Sequence, residues 1–301
     1  MKIRLGIFVV ALVLMPASGL WLAEADWSDL NKYSTGQVAN IPAALLTTLL
    51  FAGYILLINQ MIKILTGNSP IHLQRDFFQW MGVSSLVLTW LLVYMNIYVA
   101  NWSMSSENLL MQLLLYSPLF AMLAPAVLMT RNLLGTSGGL IKFLSRMPSL
   151  PSLSGESAFF ILAPIAAIGL VGSTVWPGQL FWLQWISPLL LLAALQLLWN
   201  ESTIFSALTS GNWGRIICAA LAGIIVGNFV LFAFQYNGGD VNLLVSPASL
   251  AQLGFIFYGL TCLQLSDLIA ENWRGKQRHE LFPKKKFPIP IIVKTSPHGK
   301  N

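Results

Sequence analysis

The sequence predicts an all-α fold, a polytopic transmembrane helix bundle of about eight spans with both termini cytoplasmic, and three observations lead there. Apolar residues make up 56% of the 301 positions and charged residues only 9%, far below the ~25% of a soluble domain. Leu-rich runs of about 20 residues, enough to cross ~30 Å of hydrocarbon at 1.5 Å per residue, recur through the whole chain. Basic residues gather in alternate connections. With the chain start inside and the spans alternating, only Lys32 of the 17 Lys and Arg residues falls outside. The spans follow from hydropathy alone, so this segregation supports their number independently.

Residues 1–25 fit two readings. Lys2 and Arg4 before the apolar run from Leu5 to Leu14, with Ala23-Glu24-Ala25 beyond it, have the form of a signal peptide. Apolar character continuing through Trp21 and Leu22 favours a retained first span at 4–22. Either way, Asp26 to Asn40 lies outside. The second span, 41–64, has Pro42 in its first turn, where a missing N–H does no harm. A cytoplasmic turn, GNSPIHLQRDFFQW, leads to the third span, 81–100, and NWSMSSEN leads to the fourth, 109–130. Pro118 and Pro125 lie inside that fourth span. Each removes a backbone bond and predicts a kinked or locally unwound helix, whose freed carbonyls neighbouring helices or water must cover.

The longest internal connection, 131–157, carries Arg131, Lys142 and Arg146. Within it LIKFLSRM predicts an interfacial amphipathic helix and PSLPSLSGES a loop. Span five is 158–175, interrupted by Pro164. WPGQLFW turns the chain into span six, 181–199, unless Ser187-Pro188, a serine cap before a first-turn proline, starts that helix instead. Span seven, 216–236, carries the most explicit packing instruction. Ala219, Gly223 and Gly227 recur every fourth residue, so one stripe has almost no side chain and a second helix, from this chain or another, approaches closely there. Asn228 sits beside the stripe, and a carboxamide at that depth is expected to face protein rather than lipid. Ser246-Pro247 precedes the last span, 249–270. Residues 1–273 thus read as a single transmembrane domain. Residues 274–301 form a basic cytoplasmic tail without helical period, expected to be extended or disordered.

Function is bounded mainly by exclusion. His72 falls in an inner turn and His279 and His298 in the tail, so no span offers an axial imidazole at membrane depth and no haem is expected. His and carboxylates do not cluster, so neither a metal nor another cofactor is expected. Cys218 and Cys262 lie in different apolar segments and form no disulfide framework. The formal charge of +6 is explained by topology, and no nucleic-acid partner is expected. Walker loop, nucleophile elbow, HExxH and dinucleotide fingerprint are all missing.

The polar residues inside the spans are amides: Asn59, Gln60, Asn96, Gln112, Gln196, Asn228, Gln252 and Gln264. Hydrogen bonds between helices, at ~0.6–2 kcal/mol each, are their default use. Asn96, Gln196 and Asn228 are the candidates for binding a neutral polar substrate. Glu201, Asp267, Glu271 and Arg274 fall at the inner ends of their spans and form the candidate catalytic set, because head-group chemistry needs an acid or base at that depth. Charges at helix ends, with Arg274 suited to the negative end of the helix dipole, account for the same residues without any chemistry.

These features point first to a non-catalytic subunit or accessory, scaffold-like component of a membrane complex. A transporter or flippase for a neutral or lipid-like substrate is the alternative, and a lipid-modifying enzyme at the cytoplasmic interface comes third. The expected partners are the lipid bilayer and a protein held by the basic tail, with Lys284 to Lys286 beside Phe282 and Phe287, or by the Ala219/Gly223/Gly227 stripe. The expected location is the cell membrane, a bacterial inner membrane.

Overall fold

The computed structural model describes residues 10–11, 13–15, 41–104, 109–151, 155–198 and 201–274. Most of the expected first span and the tail beyond Arg274 lie outside the described residues. The long helices, numbered in chain order, are α1 Ile41–Thr66, α2 Arg75–Val99, α3 Leu109–Gly135, α4 Gly155–Val175, α5 Leu183–Leu198, α6 Gly214–Tyr236 and α7 Ala251–Arg274. All but α5, that is 6 helices among the described residues, are long and apolar enough to cross a membrane. The chain is an all-α, multi-pass bundle. With 16 residues, α5 extends about 24 Å and packs along α4 as one arm of a hairpin.

The bundle is built around α3 rather than around the glycine-bearing α6. The most apolar stretch of α3 is 56% buried, against 28% for α1 and α2. Leu119, Leu123, Ala124, Ala126 and Val127 of α3 meet Phe51 of α1, Met81 and Leu88 of α2, and Val226 of α6 in the main core. Both prolines stay inside one continuous helix, and at Pro125 α2 explains how. The Ser85 hydroxyl accepts the Ala124 N–H at 2.9 Å and donates to the Phe120 carbonyl at 2.5 Å. A side chain from α2 is thereby inserted into the i→i−4 ladder of α3. Pro125 has no N–H for the Ala121 carbonyl, and Gly82 brings the α2 backbone over that oxygen; a Cβ at residue 82 would stand 3.4 Å from it.

Several boundaries differ from the sequence reading. The turn expected between α1 and α2 is largely helical, because Ser69 and Pro70 open a short helix, Pro70–Leu73, and α2 begins at Arg75 rather than near residue 81. Apolar burial draws this segment in: Phe77 packs on the main core and Phe78 beside Ile58, Ile62 and Met129. The α3 helix runs past the expected end at residue 130 to Gly135, so Arg131 belongs to a helix and not to a loop. The expected interfacial helix is Gly138–Leu144. Pro188 sits within α5, so Ser187-Pro188 does not start that helix; the Ser187 hydroxyl donates to the Leu183 carbonyl at 2.6 Å, one turn back. A Cβ at Gly169 of α4 would collide with that hydroxyl, which shows how closely the hairpin packs.

Connections pair at two opposite ends of the bundle. After α2, the strand β1, Trp102–Met104, pairs antiparallel with β2, Val241–Leu243, which follows α6. No strand is predicted by the sequence, but both loops are expected outside. At the other end the Leu150 N–H donates to the Leu208 carbonyl at 3.0 Å and the Trp213 N–H to the Leu144 carbonyl at 3.1 Å. These two connections, after α3 and after α5, are both expected inside. The connections expected outside thus pair with each other at one end, and the two expected inside pair with each other at the opposite end.

Candidate functional site

The small-residue stripe is used within the chain. A Cβ at Gly223 would strike the Phe255 carbonyl of α7, and one at Gly259 would strike the Ala219 carbonyl and stand 3.0 Å from the Gly223 Cα. Backbone therefore meets backbone along α6 and α7, and Gly227 leaves room for the Phe255 ring.

Asn96, Gln196 and Asn228 each engage a different neighbour. The Asn96 side-chain oxygen accepts the Asn101 N–H at 2.9 Å and the Trp102 N–H at 3.3 Å, and its Nδ2 donates to the Trp102 carbonyl at 2.8 Å. This amide shapes the turn after α2, where Ala100 takes a positive φ of 50°. Asn101 then donates to Gln184 Oε1 at 3.1 Å, and Gln184 Nε2 donates to the Met95 carbonyl. Gln196 is fully buried and accepts a hydrogen bond from Gln264 Nε2, while Gln264 Oε1 accepts the Ile204 N–H at 3.0 Å. Gln196 Nε2 has no partner among the described residues.

Asn228 corrects the sequence reading, because it is exposed on the outer surface of the bundle rather than turned inward. The α6 face that meets α7 is used by the stripe, and residue 228 lies about 100° round the helix from residue 227. Gln252 reaches across instead. Asn228 Nδ2 donates to Gln252 Oε1 at 2.8 Å, and Gln252 Nε2 donates back to Asn228 Oδ1 at 2.9 Å.

The four residues of the expected inner constellation are distributed as follows. Arg215 of α6 donates to both carboxylate oxygens of Asp267 on α7, with its Nη2 2.6 and 2.8 Å from them. Glu201 follows α5, half-buried, with its N–H donating to the Gln196 carbonyl at 2.8 Å. Glu271 and Arg274 form part of the last turn of α7, and their side chains lie outside the described residues.

Beside the Arg215–Asp267 pair lies an open cavity of about 500 Å³, bordered by the start of α2, the last turns of α3 and the second half of α7. Arg75, Asp76, Arg131 and Asp267 line it, with Asn132 and Ser266 as neutral polar neighbours and buried Leu128 beneath. Arg131 is within electrostatic reach of both Arg215 and Asp267. The sequence brings out Asp267 but treats Arg131 only as a topological marker and reads Arg75, in HLQRD, as part of a solvated loop with a local ion pair. A signal for Arg131 is present: apolar character stops at Thr130, whereas the helix-ending glycine is Gly135, so one more polar turn belongs to the helix. Arg75 and Asp76 are visible only once the preceding turn is seen to be helical. The arrangement offers cationic, anionic and neutral hydrogen-bonding groups at one end of an otherwise apolar bundle.

No family model, curated protein or solved structure matches this chain.

Proposed function

We propose that the protein is a non-catalytic, multi-pass component of the cell membrane, a subunit or accessory scaffold of a membrane complex, with eight spans and both termini cytoplasmic. A bacterial inner membrane is its proposed location. The observation that carries this reading is the commitment of the intramembrane amides. Asn96 is engaged by the following turn, Gln196 by Gln264 and Asn228 by Gln252. A midplane carrier needs such groups turned toward a shared hollow. Here the space between helices holds Phe51, Met81, Met95, Met129 and Leu170, all fully buried. The basic tail is the proposed holding point for a partner, because the glycine stripe already receives α7.

Affinity purification of the full chain in mild detergent, followed by native mass measurement, tests the proposal. A partner in fixed stoichiometry, lost when residues 275–301 are removed, is the expected result. A chain that is always monodisperse and alone overturns it. The enzyme reading is tested by Glu201→Ala and Asp267→Ala, which are expected to leave the partner complex intact and to abolish no activity of it.

A further inference from the structure

The end of the bundle that holds the cavity carries more guanidinium than its described carboxylates neutralise. Both carboxylate oxygens of Asp267 accept from one nitrogen of Arg215, Nη2. Arg131 has Asn132 Oδ1 at 3.4 Å as its hydrogen-bond partner and no carboxylate within ion-pair distance among the described residues. It is nevertheless half-buried, with Leu128 beneath the cavity it lines. A cation withdrawn from water whose nearest carboxylate, Asp267, is already shared with Arg215 is costly unless something supplies more negative charge. Arg75 presents a second guanidinium from the α2 wall of the cavity, exposed at the start of that helix. The same wall contains the first turn of α2, whose N–H groups have no acceptors inside the helix and whose N-cap Gln74 makes no side-chain cap.

We propose that this cavity binds a phosphate ester, with Arg131 and Arg75 as the forks that grip it and the first turn of α2 as a third donor set. Phosphate suits the site better than carboxylate, because its additional oxygens reach two guanidiniums and a helix start at once. The volume of about 500 Å³ is that of a small-ligand site and accepts a phosphate with its glycerol-sized substituent. Asp76 opposes the anion and sets the affinity below what the arginines alone would give. The phosphate comes from one of two sources, the head group of a membrane phospholipid or a soluble phosphorylated metabolite. This site is independent of the partner interaction proposed above.

The test uses the full chain purified in dodecyl maltoside, a detergent without phosphate. Two probes are titrated, glycerol 3-phosphate and dihexanoyl phosphatidylglycerol, with dihexanoylglycerol as the phosphate-free control, and bound species are counted by native mass spectrometry. Saturable binding of at least one phosphate probe and not of the control is expected, weakening as salt rises. Binding of the soluble probe identifies a metabolite site; binding of the lipid probe alone identifies a head-group site. Arg75→Gln and Arg131→Gln are each expected to weaken binding about tenfold, and Asp76→Asn to strengthen it about threefold. If Arg131→Gln does not fold, Arg75→Gln decides, since residue 75 is exposed and its loss disturbs no packing. The proposal is overturned if neither phosphate probe binds the unaltered protein, or if Arg75→Gln binds as tightly as the unaltered protein.

Discussion

The two ends of this bundle handle polarity in opposite ways. At the strand end, Asn96, Asn101 and Gln184 form a chain of neutral amides whose oxygens and nitrogens are met largely by backbone, and β1 and β2 tie the two loops together. At the opposite end, Arg131, Arg215 and Asp267 meet between α3, α6 and α7, and a cavity opens next to them. Neutral amides saturate one another and close a structure without needing a counter-ion. Charges in unequal number, as among the described residues here, do not, and they leave a field that an outside ion can complete. The difference teaches that polar residues in an apolar bundle serve either as locks or as attraction, and that counting partners tells which.

Substitutions break or sharpen this contrast. The largest effect is expected where both ends share their support, along α6 and α7. Gly223→Leu places a side chain against the Phe255 carbonyl and the Gly259 backbone, and is expected to cost about 3 kcal/mol or more, read as a lowered midpoint in an SDS titration. At the neutral end Gln184→Leu leaves buried Asn101 Nδ2 without its acceptor and is expected to cost about 2 kcal/mol in the same titration. At the charged end Arg215→Met removes the ion pair with Asp267. These side chains are 22% and 18% exposed, so water screens part of the loss and about 1 kcal/mol is expected. If Arg215→Met costs more than Gln184→Leu, the charged end is the structural lock and the contrast is reversed.

The membrane class and most helix positions are legible because hydropathy over ~20 residues is a strong, local signal. The Ala219/Gly223/Gly227 stripe is legible too, since close approach requires missing side chains; its partner is not, because Gly259 and Phe255 lie in a helix that spacing within α6 does not specify. The central place of α3 is hidden for a related reason: every span is apolar, and depth within a bundle depends on neighbours. The β1–β2 pairing rests on three residues per strand from distant loops and leaves no periodic trace. Depth alone turns Asn228 toward protein, whereas its satisfaction comes sideways from Gln252. The charged cavity escapes because Arg75 and Asp76 sit in a stretch that reads as a turn until Phe77 and Phe78 are seen to be packed.

The proposed orientation, with the charged end in the cytoplasm, is what links the topology, the tail and the cavity. Its most direct test is labelling of intact cells with a membrane-impermeant maleimide, using single cysteines at exposed positions of the two ends. Cys218 and Cys262 are buried and give little background. Asn242→Cys, on β2, is expected to be labelled from outside, and Asn68→Cys, beside the charged end, only after the membrane is opened. Labelling of Asn68→Cys in intact cells, with Asn242→Cys protected, would contradict the account.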